Sequence, residues 1–372
     1  MNEIKTVGPN LKSYYYYTNN KASEEDVKGV IVIASGMEGT GSLYNQIGDM
    51  LDEKGYALYA NDELGYGKSG KIIAKVGYKN WRRKDSYFAA YNIHALVEQA
   101  KRDHPNSPVY LIGNDFGAML SLVAAKEFPE NIDKLITIGW GLPRLQDVGF
   151  LITAYIRKFF LADANPCKAG HFGKNKTLAI RFERHEKYSW LSSDLDEVKR
   201  IRDAGYLDTP GSIGHYFFYY ARKLRTPVFM NFHKSNKELP ILFLSGRQDL
   251  TTLRGMKTKG LARFYKLKGF KNVDCAIVDG RHELLFEKNR EENLDSILQW
   301  IETGRLPNEK INEEPQIIEK ETDYIGEIEV VGKAKETPAP ETKVTSIEVE
   351  PVIDTSELRE AEDDDLKINV KK

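Results

Sequence analysis

One nine-residue stretch constrains the fold of this chain more than any other. Residues 109–117 read Val-Tyr-Leu-Ile-Gly-Asn-Asp-Phe-Gly, so an apolar run ends in a Gly-x-Asp-x-Gly motif. A helical pattern of apolar residues begins directly after the motif. Two glycines allow the backbone to turn so sharply that the side chain between them is presented in the open. The stretch therefore predicts a strand, a tight turn and a helix, with Asp115 at the turn.

Apolar runs alternate with helical patterns on both sides of this turn. The runs that predict further strands cover residues 14–17, 29–34, 56–60, 135–138, 241–246 and 273–278. The longer helical patterns cover residues 86–102, 117–128, 253–267 and 293–301. Apolar strands that alternate with helices are typical of a mostly parallel sheet with helices on both faces. The sequence therefore predicts an α/β fold.

The regular alternation stops at residue 141 and resumes near residue 236, which predicts four parts. Residues 1–141 and 236–304 form the two halves of the α/β core, and residues 142–235 form an inserted helical lid. Residues 305–372 carry 10 Lys and Arg against 19 Asp and Glu and have little apolar periodicity. Such a composition is typical of a disordered segment, so we expect an acidic tail.

Composition also limits the functions that the chain can have. Only Cys167 and Cys275 are present, and neither a secretory signal pattern nor an apolar run of about 20 residues occurs, which predicts a cytoplasmic protein. No metal-ligand spacing and no phosphate-binding glycine loop is found, so no metal or cofactor is predicted. No nucleic-acid-binding motif is found either.

The order of polar residues at the strand ends predicts a catalytic group. After Asp115, the next strand-end acid is Asp249 and the next strand-end histidine is His282. This order of nucleophile position, acid and histidine is the one that α/β-hydrolases use. Because the carboxyl ends of parallel strands meet at one edge of a sheet, we expect the three side chains to converge there.

Residues 27–304 resemble the lysophospholipase and monoacylglycerol-lipase branch of the α/β-hydrolases. The resemblance is carried by residues 35–37, 56–62, 113–117, 190–194, 245–249 and 280–283. It implies that the backbone N–H groups of Met37 and Phe116 form an oxyanion hole. It also implies that Asp249 orients His282, which acts as a general base on a lipid-like or other small apolar substrate.

Three segments depart from the pattern of that branch. Its Gly-His-Ser-Met-Gly motif is Gly-Asn-Asp-Phe-Gly at residues 113–117, so Asp115 replaces the serine. Its His-Gly is Ser35-Gly36, and its Arg-Gly-His-Gly is Leu-Gly-Tyr-Gly at residues 64–67. A carboxylate has no proton for histidine to remove, and its attack on an ester would give an anhydride. Serine esterase chemistry at position 115 is therefore excluded.

Two interpretations remain open. In the first, Asp115 is itself the nucleophile, as in the related haloalkane dehalogenases and epoxide hydrolases, and attacks an sp³ carbon. Phe116 replaces the tryptophan that follows the nucleophile in the dehalogenases. For epoxide opening, candidate proton donors in the lid are Tyr216, Tyr219 and Tyr220. In the second, the fold is kept without catalysis and binds a lipid or a protein.

Three segments of the sequence indicate further partners. An apolar lid segment, residues 147–161, and a basic segment, residues 254–271, make peripheral contact with an anionic membrane a candidate interaction. Residues 324–331 of the acidic tail alternate apolar and polar side chains, a pattern that can add a strand to the sheet edge of a protein partner. The alternative interpretations are a lid helix packed on the body for residues 147–161, a solvated helix face for residues 254–271 and a solubilising tail for the acidic segment.

Overall fold

The computed structural model describes the core of the α/β fold and a small part of the lid. The described residues are 1–7, 13–36, 39–63, 66–69, 85–143, 147–149, 152, 156, 166–167, 182, 188–203, 211–212, 232–233 and 235–307. They all belong to one compact unit, residues 1–316.

Eight strands form one sheet in the order β1-β2-β4-β3-β5-β6-β9-β10. They are β1 (Asn2–Val7), β2 (Ser13–Thr18), β3 (Gly29–Ala34), β4 (Tyr56–Asn61), β5 (Val109–Asn114), β6 (Lys134–Ile138), β9 (Ile241–Gly246) and β10 (Val273–Val278). Strands β7 (Pro166–Cys167) and β8 (Gly211–Ser212) form a separate pair. The pairs β1–β2 and β2–β4 are antiparallel, and every other pair in the large sheet is parallel. The predicted mostly parallel sheet is confirmed.

Helices cover both faces of the sheet. The α-helices among the described residues are α1 (Asn45–Lys54), α2 (Asp85–Asp103), α3 (Phe116–Glu127), α4 (Leu195–Asp203), α5 (Met256–Leu267) and α6 (Arg290–Thr303). Short 3₁₀-helices cover Asn20–Ser23, Gly41–Tyr44 and Leu284–Phe286.

The alternating side chains of the central strand β3 explain why the sheet needs two helical layers. Val30 and Val32 pack into an apolar core with helices α2, α3 and α5. Ile31 and Ile33 point to the opposite face and pack into a second core with helices α1 and α6. All six residues of β3 are buried, as expected for a strand that is covered on both faces.

The structure differs from the sequence prediction in two elements. Strand β1 pairs with β2 at the edge of the sheet, but no strand was predicted before residue 14. Helix α5 begins at Met256 rather than at Leu253, because Leu253, Arg254 and Gly255 all have positive φ angles of 55–82° and cannot continue a right-handed helix.

Most of the predicted lid and the whole predicted tail beyond residue 307 lie outside the described residues. The domain boundaries and the disorder of the tail therefore stay predictions. Within the described part of the chain, no helix combines the length and the apolarity that a membrane span requires.

Candidate active site

Asp115 occupies the turn between strand β5 and helix α3. Its backbone φ of 46° and ψ of −112° lie in a region that non-glycine residues rarely adopt, at a cost of about 1–3 kcal/mol. Two glycines make the turn possible. A Cβ atom on Gly113 would lie 2.5 Å from Cα of Ala118, and one on Gly117 would lie 2.1 Å from the carbonyl oxygen of Ala34. The fold therefore holds an aspartate at the apex of a sharp, strained turn.

Asp249 and His282 reach the same edge of the sheet on the loops after β9 and β10. Strands β5, β6, β9 and β10 run parallel, so their carboxyl ends lie together. Gly139, which follows β6, makes room for the imidazole. It has a φ of 69°, and a Cβ atom there would lie 2.9 Å from Cε1 of His282. Only glycine combines this backbone conformation with this close approach.

The imidazole of His282 lies between the two carboxylates. Its Nε2 is 3.3 Å from Oδ1 of Asp115, and its Nδ1 is 3.0 Å from Oδ2 of Asp249. The side chain of His282 is 2% exposed, that of Asp249 is 0% exposed and that of Asp115 is 14% exposed. A neutral imidazole carries one N–H, so only the imidazolium donates to both carboxylates at once.

The two carboxylates set the protonation state of His282. Burial by itself would lower the pKa of His282, but the charge of Asp249, the hydrogen bonds to Asp115 and Asp249 and the charge of Asp115 together raise it well above its usual value. Burial by itself would raise the pKa of Asp249. The charge of His282 and the hydrogen bonds that His282 and Thr251 donate to the carboxylate outweigh burial, so the pKa of Asp249 lies below its usual value. The two aspartates therefore favour the imidazolium form of His282.

Thr251 holds the second carboxylate oxygen of Asp249 and also lies beside His282. Its backbone N–H and its hydroxyl both donate to Oδ1 of Asp249 at 2.7 Å. Its Oγ1 also lies 3.1 Å from Nδ1 of His282. The carboxylate of Asp249 therefore presents one oxygen to Thr251 and the other to His282, which fixes the orientation of the ring.

A second polar group lies beside the carboxylate of Asp115. The amide Nδ2 of Asn114 donates to Oε2 of the partly buried Glu283. Burial raises the pKa of Glu283. The charge of His282 and the hydrogen bond from Asn114 act in the opposite direction but do not cancel the effect of burial. Tyr44, which is 2% exposed, hydrogen-bonds to Asn114 and Ser35, and burial raises its pKa. This group links the residue before the strained turn to the loop that carries His282.

The segment from Tyr188 to Asp194 covers the loop that carries His282. The Trp190 ring lies 5.3 Å from the His282 ring, centroid to centroid. The buried guanidinium of Arg281 donates to the carbonyl oxygens of Ser189 and Ser192, and the backbone N–H of Glu283 donates to the carbonyl of Leu191. The covering segment contributes to the burial of the imidazole, and burial strengthens its interactions with the aspartates.

The structure brings together three of the residues that the sequence singled out, Asp115, Asp249 and His282. Phe116 is fully buried as the first residue of α3, so its backbone N–H lies at the N-terminus of that helix. Gly36 lies against the turn, since a Cβ atom there would be 3.3 Å from Cβ of Asp115. Met37, Tyr216, Tyr219 and Tyr220 lie outside the described residues, and the roles assigned to them stay predictions.

The sequence analysis did not single out Thr251, Gly139 or Tyr44. Thr251 follows Asp249 by two residues, and a hydroxyl so close to a strand-end acid is a usable signal. Gly139 follows a strand at the edge where the other site residues lie, which is also visible in the sequence. Tyr44 carries no such signal, because its contacts depend on how the segment before α1 folds onto β5.

The chemistry available to the site comes from carboxylate, imidazole and backbone N–H groups. Among the described residues, no group of three or more His, Cys, Asp or Glu side chains is arranged to hold a metal ion. Groups of these types support proton transfer and attack by a carboxylate.

Two curated relatives match part of the chain. The monoglyceride lipase of Rattus norvegicus is 26% identical over 112 residues, which cover 30% of this chain and 34% of that protein. The monoacylglycerol lipase of Mycolicibacterium smegmatis is 26% identical over 116 residues, 31% of this chain and 39% of that protein. The chain thus spans a little over one third of the length of the curated relatives it matches.

Solved structures resemble the fold over a larger share of the chain. A thermostable carboxyl esterase from Bacillus coagulans has a TM-score of 0.69 and 19% identity, and the match covers 81% of this chain and 97% of the esterase. A soluble variant of the monoglyceride lipase from Saccharomyces cerevisiae has a TM-score of 0.56 and 14% identity. That match covers 79% of this chain and 93% of the lipase. At such identities the likeness shows the α/β-hydrolase fold alone.

A family model covers the two halves of the core and the site between them. The model described as serine aminopeptidase, S33 matches residues 25–289, which is well over half of the 372 residues and includes Asp115, Asp249 and His282. The chain therefore belongs to this family of α/β-hydrolase-fold proteins, in the branch that resembles monoglyceride lipases.

Proposed function

We propose that the chain is a hydrolase in which Asp115 is the nucleophile, His282 the general base and Asp249 the residue that orients His282. The single observation that supports the proposal most is the position of Oδ1 of Asp115, 3.3 Å from Nε2 of a histidine that Asp249 holds in place. The strained turn adds weight, because strained backbone persists where the rest of the structure maintains it and is common at active sites.

The first step is a displacement at an sp³ carbon. A carboxylate oxygen of Asp115 forms a bond to the carbon, and the bond from that carbon to its leaving group breaks, with the electron pair going to the leaving group. The leaving group is a halide or the oxygen of an epoxide. The product is an alkyl ester on Asp115.

The second step consumes water. His282 removes a proton from a water molecule, and the resulting hydroxide attacks Cγ of the Asp115 ester. The backbone N–H of Phe116 is a candidate donor to the oxyanion that forms. The bond between Cγ and the ester oxygen then breaks, and the departing alkoxide takes the proton from His282 and leaves as the alcohol. Asp115 keeps one oxygen from water, and its new carboxyl group gives its proton to His282.

Ester formation itself would prepare His282 for the second step. In the free protein the imidazolium is stabilised by both carboxylates, and a protonated ring cannot act as a base. Alkylation neutralises Asp115 and so removes two of the contributions that raise the pKa of His282. The ring then loses its proton more readily and becomes the base when one is needed.

The proposed substrate is a lipid-like or other small apolar molecule that carries an electrophilic sp³ carbon. The relatives that match the chain are a monoglyceride lipase and a monoacylglycerol lipase, which supports an apolar substrate. The carboxylate at position 115 argues against the ester bond as the point of attack. An epoxide or an alkyl halide with an aliphatic chain fits both considerations.

The test is mass spectrometry of the intact protein and of its Asp115 peptide, with a panel of aliphatic epoxides, alkyl halides and lipid esters. His282→Gln should accumulate an alkyl ester on Asp115, because the ring that activates water is absent. Wild-type protein that turns over in water labelled with heavy oxygen should carry the label in Asp115. Asp115→Asn is the matched control, and it should form no ester.

Label that appears only in the product, with none in Asp115, would contradict the proposal, since water would then attack the substrate directly. A fluorophosphonate probe supplies a second check. The probe phosphorylates an activated serine, and position 115 has none, so the purified protein should remain unlabelled.

A second candidate function is binding without catalysis. It is favoured by the charge balance of the site, in which the imidazolium is already paired with Asp115 and Asp249, as in a structural ion pair. In that case Asp115→Ser should lower the free energy of unfolding by no more than about 1 kcal/mol, because one of the two carboxylates paired with the imidazolium is lost while Asp249 remains. It should also give weak esterase activity, because His282 would again have a hydroxyl to activate. Turnover by Asp115→Ser with none by wild type would support this candidate.

A further inference from the structure

One exposed face of helix α5 carries basic and apolar side chains and no acidic one. Residues 253–271 contain seven Lys and Arg and no Asp or Glu: Arg254, Lys257, Lys259, Arg263, Lys266, Lys268 and Lys271. Five exposed residues share one face of the helix, because they lie three or four positions apart or side by side in the sequence. They are Met256, Lys259, Arg263, Lys266 and Leu267. This face, with the preceding turn at Leu253 and Arg254, is termed the α5 surface.

The charge of the α5 surface is not neutralised by neighbouring acids. Lys257 is buried with Asp147, and Lys271 pairs with Glu238. In contrast, the structure gives no carboxylate contact to Arg254, Lys259, Arg263 or Lys266 within the described part of the chain. A cluster of like charges that the fold leaves in water repels itself and attracts anions.

The positive charges of this helix act on the pKa of a neighbouring residue. Burial raises the pKa of Cys275 on strand β10 to about 11, and the charges of Lys259, Lys266 and Arg263 act in the opposite direction. Lys259, Lys266 and Arg263 therefore lie close enough to strand β10 for their charges to act on Cys275.

Large apolar side chains lie among these charges. Leu267 is 86% exposed, Met256 is 64% exposed and Leu253 is 40% exposed. They lie at the two ends of the same basic face. A soluble polyanion would satisfy the charges but leave these side chains in water. A bilayer surface satisfies both, because apolar side chains enter the boundary between headgroups and acyl chains while lysine and arginine remain among the headgroups.

We propose that the α5 surface binds the headgroup plane of an anionic lipid bilayer. The proposal is independent of the chemistry at Asp115, because the contact that the structure gives between this surface and the site is a backbone one, from the N–H of Arg254 to the carbonyl oxygen of Asp249. Helix α5 begins at Met256, shortly after the turn that carries Asp249.

The test is flotation of the full chain with vesicles of phosphatidylcholine alone or mixed with phosphatidylglycerol. Wild type should bind the anionic vesicles, and added salt should release it, since screening weakens attraction between exposed charges. The triple variant Lys259→Glu, Arg263→Glu and Lys266→Glu should bind about 100-fold more weakly. Leu267→Ser should bind about tenfold more weakly.

The matched control reverses three exposed basic residues elsewhere, with Arg102→Glu, Lys199→Glu and Lys288→Glu, and changes the net charge by the same amount. It should retain most of the vesicle binding. An equal loss in both triple variants would overturn the proposal in favour of net charge alone. Failure of the wild type to bind anionic vesicles would also overturn it.

A short heparin fragment distinguishes a bilayer from a soluble polyanion. Vesicle binding that is unchanged in Leu267→Ser, together with tighter binding to heparin than to vesicles, would identify a polyanion site and overturn the proposal. If the triple variant does not fold, Leu267→Ser and the salt dependence of wild type decide the question. Turnover of a water-soluble substrate should be unchanged in Leu267→Ser. A failure of the membrane-binding proposal can therefore be distinguished from a failure of the proposed hydrolysis.

Discussion

Two aspartates flank one imidazole ring, and the turns that carry them are built in different ways. Asp249 follows β9, has no exposed surface and receives two hydrogen bonds from Thr251. Asp115 follows β5, is 14% exposed and has a positive φ angle. The chemical group and the partner are the same in both cases. The environment alone distinguishes them.

The difference supports the proposal that Asp115 reacts and that Asp249 orients His282. Both carboxylate oxygens of Asp249 are engaged by residues of the fold, one by Thr251 and the other by His282. Asp115 is the carboxylate that a molecule entering from solvent meets. Two titratable groups whose environments differ in this way commonly divide the roles of reactive and orienting group. The proposed mechanism makes the same assignment.

The largest expected effect is the loss of turnover in Asp115→Asn. An amide is a poor nucleophile, so kcat should fall by about 10⁴-fold or more. The side chain keeps its shape, so the free energy of unfolding should stay within about 1 kcal/mol of wild type. Steady-state turnover and urea denaturation measure the two quantities. Activity that survives this substitution would assign the reaction to another residue.

Asp249→Ala should have the larger effect on stability. It removes the partner of a buried imidazolium and leaves the donors of Thr251 unsatisfied. The free energy of unfolding should fall by about 3 kcal/mol, as measured by urea denaturation at pH 6. Asp115→Ala in the same assay is the comparison, and it should cost less because that carboxylate is partly exposed and sits in a strained turn. Equal losses would mean that the two aspartates have equivalent structural roles.

The pH dependence of stability should distinguish His282 from Asp249, because the contribution of His282 is lost as pH rises and that of Asp249 is lost as pH falls. The pKa of His282 is raised in the fold, so its ion pairs stabilise fully below the pKa of an unfolded histidine, about 6.5, and this contribution is lost as pH rises through the folded pKa. The pKa of Asp249 is lowered, so its contribution is present above the pKa of an unfolded aspartate, about 3.9, and is lost as pH falls through the folded value.

Both contributions are therefore complete between about pH 4 and pH 6.5. Asp115→Asn removes one of the charges that raise the pKa of His282, so the loss of stability on the alkaline side should be smaller and should be complete at a lower pH. An NMR titration of the His282 ring together with thermal denaturation across the pH range would measure the shift. An unchanged titration of His282 in the variant would indicate that Asp115 has no influence on the ring.

The sequence predicted the parts of the molecule that depend on local chemistry. The Gly-x-Asp-x-Gly motif predicted the sharp turn, and the strand-end positions of Asp249 and His282 predicted the edge of the sheet where both lie. The fold class followed from alternation of apolar strands and helices and is confirmed by the sheet. The roles of the three residues stay predictions.

Other features depend on contacts between distant segments and were not visible in the sequence. Strand β1 exists because it pairs with β2, and its own residues carry too little apolar alternation to predict it. Tyr44 meets Asn114 only after the segment before α1 folds onto β5. The start of α5 at Met256 depends on three consecutive positive φ angles, which helical periodicity does not encode.

The smallest expected effect concerns Thr251, and it tests how Asp249 is held. Thr251→Val removes one hydroxyl donor to Oδ1 of Asp249, while the backbone N–H at position 251 still donates to that oxygen. Stability should fall by about 1 kcal/mol. If Thr251 also positions the ring through Asp249, kcat should fall several-fold with KM unchanged, and the alkaline limit of activity should shift.

Thr252→Val is the matched control for that prediction. The hydroxyl of Thr252 is buried in the same turn, but it contacts Ser245, the backbone carbonyl of Asp249 and the backbone N–H of Gly255 rather than the carboxylate. It should lower stability by a similar amount and leave kcat and its pH profile unchanged, whereas Thr251→Ser should restore both. If the two valine variants have the same kcat, Thr251 only stabilises the turn, and the orientation of His282 depends on Asp249 and the packing of Trp190 alone.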